Sequence, residues 1–109
     1  MSKTIRLTAA QAMVKYIAAQ RNEQGETLIA GCGAIFGHGN VAGLGEALYQ
    51  VQEELPTYRG HNEQTMAHTA IAYAKQLGRK RSMMVTSSIG PGATNMVTAA
   101  ALAHANRLP

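Results

Sequence analysis

The apolar positions of this chain alternate between two spacings, one typical of helices and one typical of buried strands. Four segments have apolar residues three or four positions apart, and three short apolar runs are bounded by glycine or proline. The helices are predicted over 9–19, 41–54, 62–77 and 92–106, and the strands over 27–35, 57–59 and 82–87. This alternation of helix and strand predicts an α/β domain with a parallel sheet, helices on both faces and right-handed crossovers.

Capping and breaking residues set the predicted ends of these elements. Thr8 is suited to the N-cap of the first helix, and Pro56 ends the second helix. The segment 37–40 contains two glycines and is predicted to be a loop. The residues expected to face the core are Ala9, Ala12, Met13, Tyr16 and Ile17 in the first helix, Val41, Leu44, Leu48, Val51 and Leu55 in the second, and Met66, Ala67, Ala70, Ile71 and Ala74 in the third.

The composition predicts one small domain with part of its surface covered by another chain or domain. Of the 109 residues, 46% are hydrophobic and 15% are charged, and the charged share lies below the globular average of about 25%. The net charge is +4, and all six acidic residues are glutamate. Because Mg²⁺ sites usually recruit aspartate or asparagine oxygens, a metal site made by this chain alone is disfavoured.

The single cysteine, Cys32, lies within a predicted strand. No disulfide can form within one chain, so a reducing, cytoplasmic location is expected. A buried packing role is favoured for the thiol, and a catalytic thiol with His38 as its base remains an alternative. No apolar run reaches the roughly 18 residues of a transmembrane helix, and the chain does not begin with a signal-peptide pattern. No membrane association is expected.

The densest cationic run, 79–81, follows Gly78 at the end of the third predicted helix. Cations at this position interact favourably with the helix dipole, and glycine is suited to the C-cap. The chain has one phenylalanine and no tryptophan, which leaves little for base stacking. Nucleic-acid binding is therefore disfavoured.

Glycine-containing turns follow the predicted strands, and in a parallel sheet such turns open on the edge where ligands bind. The second turn ends at a single carboxylate, Glu63, and the third has the sequence Ser-Ile-Gly-Pro-Gly-Ala-Thr-Asn over 88–95. The dinucleotide fingerprint and the P-loop signature are both absent. A single carboxylate facing a loop rich in backbone donors indicates a cofactor partner. The structural alternative is helix capping, with Asn62 as the N-cap and Glu63 favouring the dipole.

The four histidines do not form a recognisable metal motif. They lack the i, i+4 zinc spacing, and no G-x-S-x-G sequence is present for a serine hydrolase. His38 and His61 lie on the predicted ligand-binding edge and are candidate ligand contacts, whereas His104 is interpreted as a structural helix residue.

At the second and third turns the chain resembles the N-terminal, pyrimidine-binding domain of thiamine-diphosphate enzymes, and the resemblance extends from Thr8 to Pro109. It depends mainly on His-Asn-Glu-Gln over 61–64 and on the segment 88–95. The acetolactate-synthase-like branch typically has His-Glu-Gln and Ser-Gly-Pro-Gly-Ala-Thr-Asn at these places. Asn62 and the additional Ile89 depart from that pattern. With the segment 36–45, they resemble the hydrolases that open a cyclic trihydroxy-1,2-dione in inositol breakdown.

The resemblance implies thiamine diphosphate with Mg²⁺ as cofactor and a carboxyl group, Glu63, that contacts the pyrimidine ring nitrogen. It also implies that desolvation raises the pKa of Glu63. The further residues implied to form the pyrimidine pocket are Gly90, Pro91, Gly92 and Asn95. The residues implied, more weakly, to contact substrate are His38, Asn40, His61 and Gln64.

For the whole protein, the resemblance implies a hydrolase that converts a cyclic polyol dione to a deoxyglucuronate. The diphosphate and Mg²⁺ would be held by a separate domain, and a second subunit of a homo-oligomer would complete the site. The chain ends where another strand is expected, so it is interpreted as the front part of a longer domain that is inactive alone. The alternatives are an acetolactate-synthase-like carboligase or decarboxylase and a non-catalytic assembly module of the same fold.

Overall fold

A computed structural model describes residues 3–109 of the chain. Its strands are β1 (Ile29–Ala34), β2 (Thr57–Arg59) and β3 (Ser82–Thr86). Its helices are α1 (Ala9–Ala19), α2 (Gly37–Asn40), a π-helical segment (Val41–Gly45), α3 (Glu46–Gln50), α4 (Glu63–Gln76), α5 (Pro91–Asn95) and α6 (Val97–Ala105). β1 lies in the middle of the sheet and pairs in parallel with both β2 and β3. The predicted parallel α/β architecture is confirmed.

The two faces of the sheet are covered by different helices, because alternate residues of a strand point to opposite faces. On one face, Cys32 and Ala34 pack into the main core with α1, the π-helical segment and α3. On the other face, a Cβ added to Gly33 would lie 2.7 Å from Met66 Cγ of α4. Glycine in β1 therefore allows α4 to approach the sheet closely. The buried residues of the main core are Val14, Ala18, Cys32, Ala34, Leu44, Ala47, Leu48, Val51 and Leu55.

The face that α1 buries differs from the predicted one. Thr8 caps the helix in a reciprocal capping box with Gln11, as its sequence suggests. The buried residues are Val14 and Ala18. Of the predicted stripe, Ile17 packs against the core, whereas Tyr16 is 69% exposed. Alanines occur all around this helix, so their spacing does not specify a face. The larger Val14 fills the core and fixes the rotation of the helix.

The segment 37–40 is predicted as a loop and 41–54 as one helix; the loop is wrong, and the helix is confirmed only over 41–50. Helical structure begins at Gly37, passes through the π-helical segment and ends with α3 at Gln50. Residues 51–54 form turns. The apolar residues still reach the core, except that Val41 is 54% exposed. The extra residue in the π-helical turn shifts the buried face from the one that a regular helix would present.

The last predicted helix is divided into α5 and α6 at Met96. Pro91 occupies the first turn of α5, where its missing N–H has no intrahelical partner to lose. The preceding Gly90 has φ +69° and ψ −118°, a conformation that favours glycine. Gly90 and Pro91 thus begin a short helix soon after the end of β3.

The cationic run 79–81 makes structural contacts. Arg79 donates to the Asn106 carbonyl at 3.1 Å, and Arg81 donates to the Thr27 carbonyl at 2.8 Å. Gly78 has φ +59° just after α4, which agrees with its predicted role at the helix end. Within residues 3–109, none of the helices is both long enough and apolar enough to cross a membrane.

Candidate functional site

The candidate site is built at the carboxyl edge of the sheet, from the start of α4 and the helix that follows β3. Asn62 is the N-cap of α4, and its side chain accepts a hydrogen bond from the Thr65 amide at 3.0 Å. Because Asn62 serves as the cap, Glu63 is not needed for that purpose. The Glu63 carboxylate, which is half-buried, is instead directed towards α5.

Asn95, the last residue of α5, holds this carboxylate. Its side-chain amide donates to Glu63 Oε2 at 3.0 Å. This hydrogen bond, together with one from the Glu63 backbone amide, lowers the pKa of the Glu63 carboxyl, and partial burial opposes the effect weakly. A carboxylate that accepts hydrogen bonds is stabilised in its charged form. The prediction of a raised pKa is therefore wrong for this chain, where donors outweigh desolvation.

Gly92 allows α5 to lie directly against the carboxylate. A Cβ at this position would be 3.0 Å from Glu63 Oε1 and would overlap the Ser88 hydroxyl. A surface cleft of about 770 Å³ remains beside these groups. Its lining residues are Glu63, Ser88, Pro91, Gly92, Thr94 and Asn95. Four of the predicted cofactor residues thus share one cleft, and Gly90 is adjacent to it in sequence.

The four weaker candidates lie elsewhere on this edge of the sheet. His38 lines a separate pocket of about 300 Å³ together with Arg59. Asn40 donates to the Ser87 carbonyl at 2.7 Å, which ties α2 to the end of β3. His61 lines a larger cavity of about 920 Å³ between the sheet and α4. The Gln64 carbonyl accepts from His68 Nδ1 at 2.8 Å when that nitrogen is protonated.

Two cleft residues, Ser88 and Thr94, were not predicted as site residues. Both belong to the turn sequence 88–95, so membership of that turn was the available signal. Arg59 was also missed, although it borders both the pocket of His38 and the cavity of His61. Its position at the end of β2, on the ligand-binding edge, could have identified it.

The thiol of Cys32 is excluded from this chemistry by its surroundings. Its side chain is fully buried, and burial raises its pKa from 9.0 to about 12. A thiol with so high a pKa is not a nucleophile at neutral pH. The alternative of a catalytic thiol is therefore wrong, and the packing role is confirmed.

Comparison with known proteins identifies the family of this fold. Residues 7–109 match the family described as thiamine pyrophosphate enzyme, N-terminal TPP binding domain. The chain belongs to this family. Thiamine diphosphate is therefore the cofactor against which the cleft is to be tested.

The chain is also similar in sequence to individual named enzymes. The chain is 55% identical to a 3D-(3,5/4)-trihydroxycyclohexane-1,2-dione hydrolase of Geobacillus thermodenitrificans, over 97% of this chain and 17% of the relative. It is 51% identical to a protein of that name from Shouchella clausii, over 100% and 18% of the two chains. For the one from Clostridium tetani the values are 52%, 98% and 17%. The chain thus spans less than a fifth of these relatives. No solved structure matches it.

The cleft fits the pyrimidine part of the family's cofactor. An aminopyrimidine offers ring nitrogens and an amino group, and a carboxyl group can share a proton with a ring nitrogen. Glu63 presents such a group beside Gly92, where a larger residue would intrude. The donor set does not match a diphosphate–Mg²⁺ unit. Within residues 3–109, no group of three or more His, Cys, Asp or Glu side chains is arranged to hold a metal ion.

Proposed function

We propose that this chain supplies the pyrimidine-contacting carboxylate, Glu63, of a thiamine-diphosphate-dependent hydrolase that opens the ring of a trihydroxycyclohexane-1,2-dione. The observation on which this rests is the placement of Glu63 in a cleft formed with the turn 88–95, within the residues that match the family. The names of the relatives support the choice of substrate.

The role of Glu63 is to hold a proton between its carboxyl group and the pyrimidine ring nitrogen. The cofactor, when bound, supplies the electron sink needed to break the bond between the two carbonyl carbons. In the chain alone the lowered pKa keeps Glu63 ionised, ready to accept a proton from a protonated ring. Covering the cleft with the pyrimidine would remove water and shift the pKa upwards. Gly92 and Pro91 would form the wall on which the ring rests.

The substrate contacts are assigned to the neighbouring pockets of the same edge. His38 and His61 would meet the hydroxyl groups of the dione, since both side chains are exposed there. Gln64, which follows Glu63, would add an amide to this set. Asn40 would act indirectly, by fixing the end of β3 through its hydrogen bond to the Ser87 carbonyl.

The diphosphate and Mg²⁺ are assigned to another domain, and a second subunit is proposed to cover the cleft. Support for an assembly comes from large apolar side chains that remain exposed along different elements. They include Ile5 (72%), Tyr16 (69%), Tyr49 (71%), Ile89 (72%) and Val97 (61%). The reducing, cytoplasmic location predicted from the single cysteine remains part of this proposal.

The test uses a chimera in which this chain replaces the segment that it matches in the Geobacillus thermodenitrificans relative. Turnover of the cyclic dione is measured for the chimera, for Glu63→Gln and for the control Glu46→Gln. Glu46 is an exposed glutamate of α3, outside the cleft. We expect Glu63→Gln to reduce turnover by about 10²–10⁴-fold, the usual contribution of a positioned acid or base.

The outcomes separate the candidate functions. Unchanged ring opening in Glu63→Gln would refute the role of the carboxylate. Consumption of pyruvate instead of the dione by the chimera would favour a carboligase or decarboxylase. A chimera that assembles normally and transforms neither compound would favour a non-catalytic module.

A further inference from the structure

The bond between Glu63 and Asn95 connects two helices that are 32 positions apart in sequence. Both residues are half-buried, so the bond is partly screened from water. A hydrogen bond to an ionised carboxylate is roughly twice as strong as one between neutral groups. Removal of the amide would leave Oε2 without this donor.

The course of the chain after β3 determines where the Asn95 amide is located. Gly90 turns the chain with a positive φ, and Pro91 starts α5 at once. Thr94 reinforces the turn by donating from its hydroxyl to the Gly90 carbonyl at 3.1 Å. The break at Met96 ends α5 after five residues, so Asn95 is its last residue. A helix of five residues therefore places the Asn95 side-chain amide beside the Glu63 carboxylate.

We propose that Asn95 is a positioning residue for Glu63: its amide fixes Oε2, so that Oε1 stays beside Gly92, on the side offered to the pyrimidine. Asn95 thus acts through Glu63, whose Oε2 accepts from its amide. The consequence for catalysis rests on the proposed function of Glu63. The effect on the carboxylate does not, because it is a property of the cofactor-free chain.

The lowering of the Glu63 pKa can be attributed to Asn95, because no other side chain that lines the cleft carries a charge. The other residues that line it are Ser88, Pro91, Gly92, Thr94 and Asn95, and none of them titrates in the acid range. The nearest titratable neighbour in sequence, His61, lines the separate cavity between the sheet and α4. The donors to Glu63 therefore determine the pKa of its carboxyl group in the free chain.

The experiment is a ¹³C NMR titration of the cofactor-free 109-residue chain, labelled at the side-chain carboxyl carbon of glutamate. The chain contains six glutamates and no aspartate, so six signals are expected, and the one absent from Glu63→Gln identifies Glu63. Titrations are compared for the wild type, Asn95→Ala and Asn95→Asp. The matched control is Asn106→Ala, since the Asn106 amide donates to the Leu102 carbonyl at 2.9 Å and not to a carboxylate.

We expect the pKa of Glu63 to rise in Asn95→Ala, because the donor is lost. It should rise further in Asn95→Asp, where a second carboxylate faces the first. Asn106→Ala should leave it unchanged. Asn95→Asp preserves the shape of the side chain, so it remains informative if alanine destabilises the fold. A Glu63 pKa that is the same in the wild type and in Asn95→Asp would overturn the proposal.

The pH dependence of stability provides a second readout that a purely steric role would not change. The folded pKa of Glu63 is lowered, so its stabilising contribution is present above the ordinary value of 4.5 and is lost as the pH falls through the folded pKa. The difference in the free energy of unfolding between wild type and Asn95→Ala should therefore be present above pH 4.5 and decrease as the pH falls below it. A difference that is independent of pH would contradict the proposal. Failure of the proposed function would appear separately, as unchanged turnover in Glu63→Gln.

Discussion

Replacing Gly92 with alanine tests whether α5 is pressed against the candidate carboxylate. The added Cβ would overlap the Ser88 hydroxyl and lie 3.0 Å from Glu63 Oε1. Overpacking of this kind typically costs about 1–3 kcal/mol. Alanine in a helix without such contacts is instead more stable than glycine by about 0.5–1 kcal/mol. The steric cost at Gly92 is therefore measured relative to the same substitution at a glycine that has open space around it.

Gly43 provides that reference, because a Cβ added there would meet no atom within 4 Å. Urea unfolding, followed by far-ultraviolet circular dichroism, gives the free energy of unfolding of Gly92→Ala and Gly43→Ala. We expect Gly92→Ala to be the less stable by about 1–3 kcal/mol. In a Ser88→Ala background the cost should fall by at least about 0.5 kcal/mol, since residues in contact are energetically coupled. Equal stabilities of the two glycine variants would refute the close approach.

Three further predictions concern the fold that supports the site. Leu48→Ala, at a side chain that is 1% exposed, should lower the free energy of unfolding by about 2–5 kcal/mol, whereas Tyr49→Ala should change it by less than about 0.5 kcal/mol; equal effects in urea unfolding would contradict the assigned core. Gly90→Ala should cost about 1–3 kcal/mol from the backbone conformation alone (φ +69°, ψ −118°), because a Cβ there would meet no atom within 4 Å; a variant as stable as the wild type in urea unfolding would contradict that conformation. Cys32 should react with a thiol reagent only after unfolding, and stability should fall as the pH rises above about 9, because the thiol ionises near 9.0 when unfolded and near 12 when folded; labelling of the native chain at neutral pH would contradict its burial.

The order of elements could be predicted because alternating helices and short apolar strands have few topological solutions. The face of α1 could not be predicted, since its alanines fit either side and only Val14 and Ala18 are buried. The π-helical segment could not be predicted from the spacing of apolar residues either. Gly43 and Gly45 weaken the preference for regular helix there, and packing decides the outcome.

The residues that share the candidate cleft could be predicted better than the contacts between them. Glu63 and the turn 88–95 follow different strands that end at one edge, which the general rule for parallel sheets anticipates. The direction of the Glu63 pKa could not be anticipated, because it depends on an amide that arrives from another helix. The closeness of Ser88 to Gly92 depends on the folded turn, so it could not be predicted beyond their shared place in 88–95.

The role proposed for the Glu63 carboxyl group is to activate a bound thiamine diphosphate. Its most direct test is the rate at which the thiazolium C2 proton of cofactor bound to the chimera exchanges with deuterium, measured by ¹H NMR. We expect exchange to slow by about 10²–10⁴-fold in Glu63→Gln and to be unchanged in Glu46→Gln, at equal occupancy of the cofactor. Exchange that is equally fast in Glu63→Gln and in the unmodified chimera would contradict this role of Glu63.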